Sequence, residues 1–249
     1  MKENLSQLNP VIVALDVNNL KDALEIARKL RGLIDIVKIG LEFFVAEGPD
    51  CVKRLKEEGF EVFLDLKIHD IPTTVERTCA VLSRLEPVFI TVHALGGEKM
   101  LKAALRGVRN FWDTGELKTR LAGVTVLTSL DDAAAEEIGL AYPVPQQVVR
   151  LARLARDSGL DALVASPLEI RAIRENLGSE IIIITPGIRS ASFDKDDQVR
   201  CATPAYAIES GADFIVVGRQ VTRADDVYEA ARSIAEEVEI ARGRNQKMA

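Results

Sequence analysis

Apolar residues fall in short, almost unbroken runs separated by stretches of helical period. The runs are Val11 to Leu15, Ile36 to Ile39, Val62 to Leu66, Phe89 to Val92, Ala122 to Leu127, Ala162 to Ala165, Ile181 to Thr185 and Phe214 to Val217. Between them the spacing changes, as in Leu20, Ala23, Leu24, Ala27 and Leu30, and again over Val148 to Ala155, which predicts helices. Strands alternating with helices imply parallel pairing through helical crossovers. The runs are continuous Val/Ile/Leu, the pattern of strands covered on both faces. Eight such units in 249 residues predict an α/β fold, a single-domain (β/α)₈ (TIM) barrel, with a doubly wound open sheet as the alternative. No Ser/Gly/Pro-rich linker or compositional break divides the chain. One domain is expected over residues 1–249, with 1–10 and 241–249 as peripheral termini.

The polar residues that interrupt this pattern sit where the runs end. Asp16 follows the first run, Lys38 closes the second, Asp65 and Lys67 the third, and Thr128 and Ser129 follow the fifth. Pro186 to Gln198 follows the seventh, and Gly218 and Arg219 end the eighth. In a parallel barrel these positions converge on one rim, where such folds carry their chemistry. The densest cluster lies in Phe63 to Val75, FLDLKIHDIPTTV. Residues i and i+2 of a strand share a face, so Asp65 and Lys67 project together. A structural ion pair would account for those two alone. Lys38 is harder to place as scaffold, because a lone inward lysine is seldom tolerated, and Asp65 is its expected partner. Asp16 admits two readings, a cap for the helix near Leu20 or a site carboxylate. Pro72 reads as the first-turn proline of the next helix, with Thr73 and Thr74 beside it.

Composition narrows the partners. The chain is 47% hydrophobic and 28% charged with a net charge of −6, and it has no basic block, so no nucleic-acid partner is expected. Any phosphate must be met locally, by backbone amides and the guanidinium at Gly218 and Arg219. The loop Pro186 to Gln198 is long and polar for such a connection and is expected to act as a lid, with a merely solvated loop as the alternative. Cys51, Cys79 and Cys201 are odd in number and widely spaced, so free thiols in a reducing, cytoplasmic setting are expected. No run is long enough to span a bilayer, and no membrane partner is expected. His69 and His93 are too few and too far apart for a His-rich metal site. His93, at the end of the fourth run, reads as a satisfied structural histidine, with a supporting place behind the site as the alternative. Trp112 and Tyr142 are read as packing residues.

At the third run the sequence resembles the orotidine 5′-phosphate decarboxylase family. Its motif DxKxxDIPxT is matched by Asp65, Lys67, Asp70, Ile71, Pro72 and Thr74. The likeness continues through VALDV at Val13 to Val17, VKIG at Val37 to Gly40, VLTS at Val126 to Ser129, TPGIR at Thr185 to Arg189 and VVGR at Val216 to Arg219. Thr73 departs from the Asn of many members. The resemblance implies decarboxylation of orotidine 5′-monophosphate to UMP in a site without metal or cofactor, with Lys67 protonating C6, Asp65 near the substrate carboxylate and Lys38 holding the array. It implies that the stretch Asp65, Leu66, Lys67, Ile68, His69, Asp70, Ile71, Pro72, Thr73 and Thr74 lies along substrate. Asp16 and Thr74 would bond the ribose, and Thr128 and Ser129 the base. Pro186, Arg189, Gln198, Gly218 and Arg219 would complete the site, with Gln198, Gly218 and Arg219 on the phosphate. A homodimer is implied as well, in which Asp70 and Thr74 serve the partner's site. Two competitors stand beside this reading. Metal-dependent sugar-phosphate decarboxylases and aldolases share DxKxxD but carry a Glu metal ligand where this chain has Lys38, and a non-catalytic phosphosugar-binding barrel has no need of both lysines and both aspartates.

Overall fold

In the computed structural model, which describes residue 5 and residues 7–111, 119–189 and 201–248, eight parallel strands close into a barrel in sequence order. They are β1 (Val11–Leu15), β2 (Ile36–Gly40), β3 (Glu61–Ile68), β4 (Phe89–His93), β5 (Arg120–Val124), β6 (Ala162–Val164), β7 (Ile182–Thr185) and β8 (Phe214–Val217). Helices α1 (Leu20–Leu30), α2 (Leu41–Glu47), α3 (Asp50–Glu57), α4 (Pro72–Ser83), α5 (Gly97–Phe111) and α6 (Asp132–Glu137) belong to the first five crossovers. They are followed by α7 (Val144–Asp157), α8 (Ile170–Leu177), α9 (Pro204–Glu209), α10 (Arg219–Thr222) and α11 (Val227–Met248). β1 pairs with β8 through Val13 and Val217, which closes the ring and excludes the open sheet.

Strand residues of alternate phase serve two cores. One set, with Val13, Val37, Leu64, Ile90 and Ile183, packs against the helices. The other, with Ile12, Ile36, Phe63, Phe89, Ile184 and Phe214, fills the barrel lumen. Phe89 meets Phe63 edge-on at 5.7 Å and Phe214 at 5.8 Å between ring centroids. These rings plug the lumen and give the rim a solid floor. Moving along the lumen phase from Ile36 leads to Lys38, and from Phe63 to Asp65, so the polar site is the continuation of the inner core. Outside, α4 and α5 pack so closely that a Cβ on Gly107 would lie 2.1 Å from the carbonyl oxygen of Glu76.

Two strands depart from the sequence expectation by two or more residues at an end, and one open choice of helix cap is decided. β5 stops at Val124, not Leu127, because β6 offers only three residues to pair with it; Thr125 N–H still donates to Val164 O at 3.1 Å, and the chain then leaves the sheet. β3 runs on to Ile68 but does not stay regular. Leu64 pairs with Ile90 and Ile68 with Val92, so three residues of β3 face one residue of β4. The helix at Leu20 is capped by Asn19, whose side chain accepts from Asp22 N–H at 2.9 Å. Asp16 is thereby released from the capping role that sequence left open. Pro72 opens α4 as expected. Among the described residues, no helix is long and apolar enough to cross a membrane.

Candidate active site

β2 and β3 carry the charged centre. Lys38 Nζ lies 3.5 Å from Asp65 Oδ2 and 3.5 Å from Asp16 Oδ1. Lys67 Nζ donates to both Asp65 oxygens at 2.9 Å. The side chains of Lys38 and Asp65 are only 11% and 13% exposed, whereas that of Lys67 is 40% exposed and open to a ligand. Burial alone would push the Asp65 carboxyl upward, but the ammonium groups of Lys38 and Lys67 and hydrogen bonds from Lys67 and Thr91 outweigh it and hold Asp65 below the ordinary carboxylate range. Asp65 is therefore ionised at neutral pH, one anion between two cations. The neighbours must be small for this to fit. A Cβ on Gly40 would approach Lys38 Nζ to 3.3 Å, and one on Gly218 would approach Asp16 Oδ2 to 3.2 Å.

Lys67 reaches Asp65 through an unusual backbone. Its φ is 48°, left-handed for a residue with a Cβ, at a cost of about 1–3 kcal/mol that surrounding contacts must offset. The side chain therefore turns back over Asp65 and does not continue the pleat. Thr91 of β4 stands opposite, its hydroxyl accepting from Lys67 N–H at 2.8 Å and donating to Asp65 Oδ1 at 3.1 Å.

Above this centre lies a cavity of about 210 Å³ lined by residues that include Asp16, Lys38, Asp65, Lys67, Thr128, Pro186, Arg189, Gly218 and Arg219. Four cationic and two anionic side chains line it, in a chain whose net charge is −6. Such a local excess suits an anionic ligand. Arg189 Nη1 donates to Ile188 O at 2.9 Å, while its buried Nε has no hydrogen-bond partner among the described residues. The base of the β7 loop is tied down by Arg189 N–H to Ala202 O at 2.9 Å and Ala202 N–H to Gly187 O at 3.1 Å. Val124, Val126, Leu127 and Val164 add apolar surface to the same lining, the combination of apolar wall and few charged groups that is usual in ligand pockets.

Residues 9–234 match the Orotidine 5'-phosphate decarboxylase / HUMPS family. The chain belongs to that family. It is 47% identical over 234 residues to the orotidine 5′-phosphate decarboxylase of Moorella thermoacetica, with 92% of each chain covered. It is 44% identical over 230 residues to that of Trichlorobacter lovleyi, covering 92% of this chain and 95% of the relative. The crystal structure of the Lactobacillus acidophilus orotidine 5′-phosphate decarboxylase superposes with a TM-score of 0.82 at 40% identity, covering 92% and 99% of the two chains.

The DxKxxDIPxT stretch is divided by the fold. Asp65 and Lys67 enter the cavity, but Ile68, His69, Asp70, Ile71, Pro72, Thr73 and Thr74 do not line it. Leu66 lines an adjoining recess of about 230 Å³ together with Gly40, Leu41 and Phe43. Asp70 is exposed and accepts from Ile71 N–H at 2.6 Å, and Ile71 to Thr74 are exposed at the start of α4. Ser129 is exposed beside Thr128 and does not line the cavity. Gln198 and the expected lid segment beyond Arg189 lie outside the described residues. His93 corrects the expectation of a satisfied histidine. It is 8% exposed, its Nδ1 has no partner among the described residues, and its ring stacks on His69 at 5.3 Å between centroids. Burial foremost, then the nearby charges of His69 and Lys67, push its pKa down to about 4. Sequence reasoning passed over Thr91 altogether. The available signal was its place between Phe89 and His93, on the lumen phase of a strand otherwise apolar up to His93.

Proposed function

We propose that this chain decarboxylates orotidine 5′-monophosphate to UMP, without metal or cofactor. The observation that supports this best is the Lys38–Asp65–Lys67 cluster at the bottom of a cationic, half-apolar cavity. The reaction breaks the bond between C6 of the pyrimidine and its carboxylate, leaving the electron pair at C6 as carbon dioxide departs. Lys67, the exposed end of the cluster, delivers a proton to C6 and is reprotonated from solvent. Before that transfer its positive charge stabilises the developing carbanion in a site already organised for it. Ionised Asp65 stands beside the substrate carboxylate, so their repulsion is relieved as carbon dioxide leaves. Lys38 keeps Asp65 ionised and in register beneath Lys67.

Remote groups supply the binding energy. Asp16 accepts from ribose hydroxyls, Thr128 and Ser129 bond the base against the apolar wall, and Gly218 and Arg219 hold the phosphate with Gln198, while Pro186 and Arg189 also reach the ligand. The exposure of Asp70 and Thr74 away from their own cavity supports a homodimer in which they complete the partner's site. A divalent ion at Asp65 would have to share the carboxylate with two ammonium groups, which disfavours the metal-dependent competitor. The experiment is to mix purified protein with orotidine monophosphate and follow the loss of ultraviolet absorbance, with and without chelator, for wild type and Lys67→Ala. Turnover indifferent to chelator and abolished in a folded Lys67→Ala is expected. Near-normal turnover in the variant overturns Lys67 as the acid, and activity lost to chelator and restored by magnesium revives the metal-dependent reading.

A further inference from the structure

The irregularity in β3 demands a structural explanation from its neighbour. Between the pairs Leu64–Ile90 and Ile68–Val92, Asp65, Leu66 and Lys67 all face the single residue Thr91. Two surplus residues in one strand break the ladder locally and leave backbone groups to be satisfied by other means. The Lys67 N–H is one of them, and it sits on a left-handed backbone with φ 48°.

We infer that Thr91 is a positioning residue for catalysis: its hydroxyl replaces the missing ladder acceptor, fixes the turn at Lys67 and aims the Lys67 ammonium at Asp65. The inference rests on the reading of Lys67 as proton donor. A hydroxyl has one proton to give and lone pairs to accept with, and both capacities are used. It accepts from Lys67 N–H at 2.8 Å and donates to Asp65 Oδ1 at 3.1 Å. One side chain thus ties the backbone of the acid to the side chain of its counter-ion. Thr91 is fully buried and β-branched, so its rotamer is restricted and the hydroxyl cannot swing away. Valine has the same shape and neither capacity. The remaining charges facing Asp65 are Lys38 from β2 and Lys67 itself, with Asp16 behind Lys38.

Three variants separate this role from packing. Thr91→Val is expected to lower kcat by roughly 10- to 100-fold, the loss typical of leaving buried partners of one hydroxyl unpaired, with KM within about 3-fold of wild type because no ligand contact is removed. The acid limb of the kcat–pH profile should move to higher pH, since Asp65 loses a hydrogen bond that favours its ionised form. Thr91→Ser keeps the hydroxyl and should recover kcat to within a few-fold. Lys67→Ala is the control for the underlying reading. If Lys67→Ala is inactive while Thr91→Val keeps wild-type kcat and an unmoved acid limb, Thr91 has no positioning role although Lys67 stands as the acid. If Thr91→Ser is as impaired as Thr91→Val, the residue acts by packing and the inference fails. An active Lys67→Ala overturns the underlying reading instead. Should Thr91→Val not fold, hydrogen exchange in the wild type decides: slow exchange of the Lys67 amide, with activity retained in Thr91→Ser, supports the role, and exchange as fast as an open loop overturns it.

Discussion

Lowering the pH from 7 to 5 should destabilise the protein through His93, a buried ring whose stacked neighbour is another histidine. In the unfolded chain this imidazole takes up a proton near pH 6.5, whereas in the folded protein burial, His69 and Lys67 hold its pKa down at about 4. Between those values the unfolded chain binds more protons than the folded one, so stability rises with pH across the interval. The contribution of the neutral ring is complete above pH 6.5 and is lost as the pH falls toward 4. At about 1.4 kcal/mol per pH unit the full interval is worth about 3 kcal/mol, of which about 2 kcal/mol is lost between pH 7 and pH 5. For a domain of this size that equals about 4–8 °C in Tm. Urea unfolding of wild type and His93→Gln at both pH values measures it, because glutamine stays neutral and polar. Carboxylates contribute alike to the two proteins, so the difference between their pH slopes isolates His93. The variant should lose about 2 kcal/mol less than wild type over the interval, whatever its stability at pH 7. Equal losses in both proteins would refute the coupling.

Mixing inactive Asp70→Ala and Lys67→Ala proteins by reversible dissociation should restore activity to roughly a quarter of wild type, since about half the dimers are mixed and each has one intact site. Complete exchange verified by mass, with no activity regained, would place Asp70 in its own chain's site or nowhere in the chemistry. Gly218→Ala puts a Cβ 3.2 Å from Asp16 Oδ2, so steady-state kinetics should show KM raised by roughly 5- to 30-fold, about 1–2 kcal/mol, with kcat less affected. An unchanged KM would mean that Asp16 does not bind the ligand in this position.

The barrel was legible because its determinants are periodic. Each strand has to be apolar on both faces, once toward the lumen and once toward the helices, so the runs stand out even at four to six residues, and the helices between them show their inward stripe. The failures have local causes. Val126 and Leu127 have strand composition, yet the ladder between β5 and β6 ends at Val124 and Val164, and the two residues beyond it line the cavity from the loop. Asp16 and Asn19 are both plausible caps by residue type, and only the backbone geometry assigns the cap to Asn19.

The charged centre was legible for a different reason, which also explains what was missed. Lys38, Asp65 and Lys67 advertise themselves because charge on a lumen-facing strand position is costly unless paired or used. Thr91 carries no charge, and threonine is an ordinary strand residue, so nothing in its identity marks it. The i, i+2 argument for Asp65 and Lys67 reached the right pairing by an incomplete route. It assumes a regular pleat, whereas β3 is bulged and Lys67 has a left-handed backbone, so a pleat is not what brings Nζ onto Asp65. A bulge is a property of two strands in register, and register is absent from either strand read alone. The neutral residue opposite the surplus is the one the pair needs, and it becomes visible only when the partner strand is counted against it.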